Sequence, residues 1–421
     1  MLYFFLKPLV KVALKVYFRN IYFSGKENIP DNKAFIIAMN HPSAFLEPVI
    51  MAVNIKKPVH FLVRGDHFNK LFYRFLLKQG KMIPVFRQKE SGFGSLKNNY
   101  DTFSRCYQHI ANGDIIALFP EGRTENEKRL RPLQRGIARI AFGTLFNYPE
   151  MQDLFVLPVS VNYTEPLNFR GTAYLHVGNP LSVKDYINSE QVPDYHQLLI
   201  DLAVELKKNM IIIENESDEN LVEFCLMMTR NLNSYSFLPV YNNQDGRLRL
   251  EQKVSHFWNY HASEELKFET LKKIDAYQTI LKNRSIDDKV VSTKDYHIGN
   301  LSLGIFKIIS FLGSVFASPP AIFAEWITKT KVKHPSFISP VRFGAGFGGF
   351  LIYTILLSLI AWFWNIWVLP AAILAGFMAY FSLYFKERQA LYKSYLNFQR
   401  LNEAEKNRLI LLKKEILSSF N

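Results

Sequence analysis

His41 is the residue best suited by type to move a proton, because imidazole alone among side chains ordinarily titrates near neutral pH. It stands in Asn40-His41-Pro42-Ser43-Ala44-Phe45-Leu46-Glu47-Pro48, where Glu47 is the nearest carboxylate able to fix its tautomer. Six residues along one straight helix would leave about 120° between the two side chains. They can meet only if His41 precedes the helix, with Pro42 in its first turn, where proline is favoured. A lone histidine is ordinarily a packing residue, so this motif by itself assigns no reaction.

Three further segments carry residues of use to such a base. Gly80-Lys81-Met82-Ile83-Pro84-Val85-Phe86-Arg87 would deliver Arg87 to a strand end, where its planar fork can meet a phosphate. In Phe119-Pro120-Glu121-Gly122-Arg123-Thr124, proline and glycine set a sharp turn, from which Glu121 and Arg123 protrude beside exposed backbone donors. Arg129, Arg131, Arg135 and Arg139 follow, either a solvated charge run or a cradle for phosphate. Val156-Leu157-Pro158-Val159-Ser160-Val161-Asn162-Tyr163 is an apolar strand kinked by Pro158, and acyl-chain lining and plain sheet core fit it equally.

These segments fall at the ends of predicted strands. Short β-branched and aromatic runs at Ala34 to Met39, Val59 to Val63, Met82 to Phe86, Ile115 to Phe119, Phe155 to Tyr163 and Ala173 to Val177 read as strands. Helical stretches lie between several of them, such as Asn69 to Gln79 and Tyr100 to Asn112, the latter stopped by Gly113. Alternation of this kind implies an α/β fold with a buried sheet. Residues 189–300 change to long helical periodicity and form an accessory helical region, with a loop at Asn242 to Gly246.

The rest of the chain reads as membrane-directed. Phe343 to Phe385 holds 43 residues without a charge, about twice what one helix needs to cross a ~30 Å hydrocarbon core. Asn365 and Pro370 break it, which predicts a two-span hairpin within residues 341–386, roughly Gly344 to Trp364 and Ile366 to Phe385. Arg342, Lys386 and Arg388 place both ends of the hairpin on the cytoplasmic side. Residues 301–340 include an apolar segment interrupted by Pro319 and Pro320, and a re-entrant or interfacial course is expected there. In residues 1–24, Lys7, Lys11, Lys15 and Arg19 recur every four positions beside an apolar face, the pattern of a helix lying in the headgroup layer. No apolar core or cleavage site of a secretory signal interrupts that pattern, so the following domain is expected to remain cytosolic. Residues 387–421 read as an amphipathic helical tail.

Taken together, in order and spacing, the four segments resemble the four blocks of the glycerol-phosphate and lysophospholipid acyltransferase superfamily. Asn40-His41 matches the catalytic histidine block, Gly80 to Arg87 the second, Phe119 to Thr124 the third and most diagnostic, and Val156 to Val159 the fourth. The C-terminal part resembles, more diffusely, the glycerol-3-phosphate/dihydroxyacetone-phosphate acyltransferase branch. Two departures stand out. Five residues, not four, separate His41 from an acidic partner that is Glu rather than Asp, and the third block reads Gly-Arg-Thr where many members carry the threonine first.

The resemblance implies an acyltransferase domain over residues 25–188 with an α/β sheet layered by helices. It implies that His41, held by Glu47, draws the proton from an acceptor hydroxyl, which attacks an acyl thioester. Asn40, Arg87, Glu121, Gly122, Arg123 and Thr124 would bind the acceptor, and Pro158 and Val159 would line the acyl chain. The expected reaction makes phosphatidate from lysophosphatidate, with glycerol 3-phosphate or dihydroxyacetone phosphate as the alternative acceptor. The donor would be acyl-CoA or acyl carrier protein, a co-substrate, and no cofactor is expected.

Composition narrows the classes further. The net charge of +14 with 48% hydrophobic residues excludes disorder and leaves nucleic acid or an anionic membrane as partners. Membrane lipids are the expected partner; no nucleic-acid module is present to use the charge. Two distant cysteines exclude a disulfide scaffold, and the scattered histidines imply no metal. A lipid hydrolase would need a Gly-x-Ser-x-Gly elbow, which is absent. A membrane scaffold that kept the fold without the chemistry is the remaining alternative, favoured by the irregular His41 to Glu47 spacing.

Overall fold

The computed structural model describes residues 2–65, 71–85, 94–151, 153–232, 240–291 and 304–420. In chain order the principal elements open with α1 (Leu2–Tyr17), β1 (Asn20–Ser24), β2 (Ala34–Met39), α2 (Leu46–Asn54), β3 (Val59–Arg64), α3 (Leu71–Gln79) and β4 (Met82–Val85). Next come α4 (Gly94–Ala111), β5 (Ile115–Leu118), α5 (Gly136–Asn147), β6 (Leu154–Tyr163), β7 (Thr172–Val177) and β8 (Leu181–Ser182). Beyond them lie α6 (Tyr195–Lys208), α7 (Glu219–Leu232), β9 (Val240–Asn242), α8 (Gly246–Tyr260) and α9 (Glu264–Arg284). The last are α10 (Gly304–Lys331), α11 (Ile338–Phe363), α12 (Val368–Gln399) and α13 (Glu403–Ser418). Two compact units result, one of residues 1–211, 239–248 and 334–340, the other of 212–238, 249–333 and 341–421.

The first unit is built on one sheet with strand order β4-β3-β5-β2-β6-β7-β1-β9, β8 pairing with β6 off that path. From β4 to β6 neighbouring strands run parallel, β6 and β7 are antiparallel, and β7, β1 and β9 are parallel again. Parallel strands need crossovers, and the helices that supply them cover the sheet. That is why the strands read as unbroken apolar runs rather than alternating ones: every residue of β1 and β5 is buried, as are five of the six in β2. Helix α1 packs on α2, while α4, α5 and α6 pack in succession.

Strand β1 corrects one boundary. Residues 20–24 do not extend the N-terminal helix but form a fully buried strand in register with β7, Asn20 opposite Thr172 through Ser24 opposite His176. The four-residue lysine spacing continues to Arg19 and masked the switch to period two. A second boundary shifts in the accessory region, which contributes β9 to this sheet, Asn20 opposite Val240. Lys7 also departs from expectation. Its ammonium turns inward to the carbonyl of Ile55 at the C-terminal end of α2, where a cation is favoured. Phe4, Phe5, Leu9 and Val12 remain exposed alongside Lys11 and Lys15.

The second unit is helical. Helices α7, α9 and α13 pack together, and α10 lies along α12. Three helical segments, Gly304–Lys331, Pro335–Phe363 and Val368–Gln399, are long and apolar enough to cross a membrane. Between the last two, the break falls at Trp364 to Trp367, where Asn365 Oδ1 accepts the Trp367 N–H at 2.9 Å and Pro370 sits in the first turn of α12. The segment expected to take a re-entrant or interfacial course forms one continuous helix of 28 residues through Pro319 and Pro320. Pro319 cannot donate to the Val315 carbonyl, but the Ser318 hydroxyl donates to that oxygen at 2.7 Å and fills the gap. Gly313 lets α10 approach closely, since a Cβ there would lie 2.1 Å from the Met378 carbonyl oxygen.

Candidate active site

Strands β2 and β5 are neighbours and parallel, Ile36 opposite Ile116 through Ala38 opposite Leu118. Their C-terminal ends therefore release two loops side by side, one carrying Asn40 to Phe45 and the other Phe119 to Arg135. This is the edge of an open parallel sheet at which ligands are generally bound.

The two loops are locked together around His41. Glu121 accepts the His41 backbone N–H at 2.9 Å with one oxygen and the Arg131 N–H at 3.3 Å with the other. Glu125 donates its N–H to the His41 carbonyl at 3.3 Å. The Phe119 ring stacks on the imidazole with centroids 3.8 Å apart and planes 14° apart. Gly122, at φ 72°, occupies the left-handed turn and donates to the Phe119 carbonyl at 3.1 Å. Arg123 thus rides on the crest between two residues that each grip His41. Its side chain is exposed, with no hydrogen bond or ion pair among the described residues. Thr124 follows it, half-buried.

His41 lies before α2, as the meeting of the two side chains requires, but the proline of that helix's first turn is Pro48, and Pro42 belongs to the loop. Glu47, in the same turn, is completely buried. One of its oxygens accepts the Ser43 N–H, and the other stands 3.9 Å from His41 Nδ1. That separation exceeds a hydrogen bond, and both atoms are buried without another partner. The Ser43 hydroxyl and the Tyr163 hydroxyl are likewise buried and unpaired. Burial raises the Glu47 carboxyl above its ordinary value, with His41 pulling the other way. Burial, and then the Glu47 charge, keep the Tyr163 phenol protonated. Burial also raises Glu121, against its two backbone donors. Ser43 and Tyr163 lie within two of the four segments but had no role assigned there; only the fold brings them to the His41–Glu47 pair.

Several expected site residues have other duties. Asn40 is buried, its amide donating to the Val161 carbonyl at 2.9 Å and accepting the Val161 N–H at 2.6 Å, so its amide ties β2 to β6. Glu121 spends both oxygens on backbone and positions the loop. Pro158 and Val159 are buried within β6, opposite Ala38 and Met39, and belong to the sheet core. Arg129 and Arg131 are ion-paired to Glu127 at 3.5 and 2.5 Å, which removes them from a phosphate cradle. Arg135 and Arg139 stay exposed. Arg87 lies outside the described residues. Beside the same loop a cleft of about 420 Å³ combines Leu133 and Leu199 with Arg135, His196 and Lys207.

Residues 20–162 match the Acyltransferase family. The chain is 23% identical to Glycerol-3-phosphate O-acyltransferase 1 of Saccharomyces cerevisiae over 58% of its own length and 33% of that protein's. Glycerol-3-phosphate O-acyltransferase 2 of the same yeast is 30% identical over 20% of this chain and 11% of that protein. The chain thus spans a third or less of the length of these relatives. Among solved structures, the 1-acyl-sn-glycerophosphate acyltransferase PlsC of Thermotoga maritima aligns at 16% identity over 49% of this chain and 77% of that one, with a TM-score of 0.36.

Proposed function

Residues 20–162 belong to the glycerol-phosphate and lysophospholipid acyltransferase superfamily, and from that premise we propose that the protein transfers a fatty acyl group from an acyl thioester to a hydroxyl of a glycerol-phosphate acceptor at a membrane. The observation that carries the reading is the His41 imidazole, its loop gripped from both sides and its Nδ1 turned to a buried carboxylate. With Nδ1 facing Glu47, Nε2 is the atom free to take the acceptor proton. The oxygen so released attacks the thioester carbonyl, the C–S bond breaks, and the departing thiolate recovers the proton from His41. Glu47 stabilises the imidazolium formed in between, its 3.9 Å separation closing to hydrogen-bond length as charge develops. Arg123 holds the acceptor phosphate, which turns a collision into an oriented encounter.

The cleft beside the loop, which combines leucines with Arg135 and Lys207, suits the anionic end of the donor. Lysophosphatidate is the first acceptor to test, and glycerol 3-phosphate stands beside it because relatives from yeast carry that substrate in their names. We place the domain on the cytoplasmic face, where Arg342, Lys386 and Arg388 flank the apolar helices, with the exposed Phe4, Phe5, Lys11 and Lys15 of α1 in the headgroup layer.

The deciding experiment offers the purified protein in detergent both acceptors with labelled acyl-CoA and resolves products by mass spectrometry. Acylation of either, lost in His41→Ala, is the expected result. No product with any glycerol-phosphate acceptor and either donor would leave the scaffold reading.

A further inference from the structure

The opposite end of the same strands gathers a second group of side chains. His60 is the second residue of β3, in register with Ile116 of β5. Asp114 immediately precedes β5, and His109 lies in the last turn of α4. The turn between them is closed: Gly113, at φ 79°, donates to the Ile110 carbonyl at 2.9 Å, and Asp114 donates to the His109 carbonyl at 3.0 Å. His109 and Asp114 are thereby fixed on one rigid turn facing the start of β3.

One ligand-capable atom from each of the three residues lies within 4.8 Å of the others. His109 Nδ1 stands 2.8 Å from Asp114 Oδ2, and His60 Nε2 stands 3.7 Å from the same oxygen. The two rings are 4.4 Å apart. A simple His–Asp hydrogen bond explains the first distance but has no use for the second imidazole, which is buried and too far for a bond of its own. Ligands of a tetrahedral zinc ion, at about 2.0–2.2 Å from the metal, are separated by about 3.3 Å, between the two observed spacings.

We propose that His60, His109 and Asp114 bind a divalent transition metal of the zinc class, clamping the end of α4 to the starts of β3 and β5. Two imidazoles and one carboxylate are the donor set that suits such an ion, and the half-exposed His109 and Asp114 leave room for water as the fourth ligand. The Lys81 ammonium acts on His60 and opposes a cation there, which holds the affinity down. Phe119 lies five positions beyond Asp114 across the four residues of β5, about 16 Å of extended chain, so the ion takes no part in proton transfer at His41. The histidines looked scattered in sequence because 49 positions separate His60 from His109; the parallel pairing of β3 and β5 closes that distance.

The test uses the full chain in detergent, stripped with a chelator and titrated with Co²⁺. One equivalent should give visible d–d absorption that Zn²⁺ abolishes, and Zn²⁺ should raise the melting temperature. His109→Ala and Asp114→Asn should each weaken binding at least about tenfold, with acyl transfer by the folded variants retained. Should His109→Ala fail to fold, the isosteric Asp114→Asn decides. Absence of Co²⁺ uptake by the stripped protein overturns the proposal. So does binding that survives both substitutions and disappears instead with His256→Ala, whose ring lies 5.2 Å from His261.

Discussion

Buried charges in the helical core and buried polar atoms around His41 are treated in opposite ways. In the helical unit every buried charge in the α7, α9 and α13 core is answered. Arg230 meets Glu251 at 3.2 Å and Lys267 meets Asp218 at 2.7 Å. Asp288 is shared by Lys413 at 3.3 Å, the Tyr277 hydroxyl at 2.7 Å and the Asn231 amide at 2.9 Å. At the sheet's C-terminal edge, by contrast, His41 Nδ1, the Ser43 hydroxyl, the outer oxygen of Glu47 and the Tyr163 hydroxyl are buried with no partner. Leaving such atoms unpaired costs about 1–3 kcal/mol each. The fold satisfies Asn40 and Glu121 in the same loops yet leaves these four, as the proposed acyl transfer would require. Incomplete pairing concentrated beside an imidazole is what the proposed chemistry would need.

Substitutions at the two places should therefore fail differently. His41→Ala removes the proposed base and should lower turnover by about 10²–10⁴-fold with the melting temperature unchanged. A variant retaining normal turnover would show that His41 is not the base. Asp288→Ala should do the reverse, leaving Lys413 buried without its carboxylate and costing about 3–5 kcal/mol of stability. Thermal melts of the full chain would read this, and an unshifted melt would mean the network is ornamental.

Glu47→Gln sharpens the contrast because it should move the two readouts in opposite directions. Burial raises the Glu47 pKa above the ordinary 4.5, so the folded chain binds that proton more tightly than the unfolded chain. Its stabilising contribution is complete below about 4.5 and is lost as pH rises through the raised value. Glutamine keeps an acceptor for the Ser43 N–H and never ionises, so the variant should gain stability over wild type as pH rises to neutrality. Activity should fall about tenfold or more, since the imidazolium loses its counter-charge. Equal pH profiles of melting for the two proteins would contradict an ionisable, strained Glu47.

Legibility in sequence followed the same division. The strands β2, β5 and β6 and the loops that follow β2 and β5 were readable, because continuous apolar runs ending in His41 or in Pro120-Glu121-Gly122 have few other uses. Strand β1 was not, since Arg19 completed a helical spacing that pairing with β7 overrides. Asn40 looked like a substrate ligand because motif proximity says nothing about which atoms are already spent on Val161. Tyr163 and the His60, His109 and Asp114 cluster depend on contacts across dozens of residues, which no local pattern encodes. That α10 runs unbroken through its prolines has a more local reason: the hydroxyl that offsets their missing donor, on Ser318, sits one residue away.

Arg123→Ala should give the smallest effect and the most selective one. The side chain is exposed at the crest of a turn whose shape is held by Gly122, Glu121 and Glu125 rather than by itself, so removing it should leave melting and the His41 geometry intact. What it removes, on the proposed reading, is a charge-assisted contact to phosphate, worth about 1.5–3 kcal/mol, which corresponds to roughly a ten- to hundredfold rise in the acceptor's KM. The donor's KM should stay within error, because Arg135 and Lys207 line a separate cleft. Lysine at this position should restore charge without the planar fork and recover only part of the loss. If the donor's KM rose instead, the two anion sites would have to be exchanged, with the crest of the turn holding the thioester carrier and the basic cleft the acceptor.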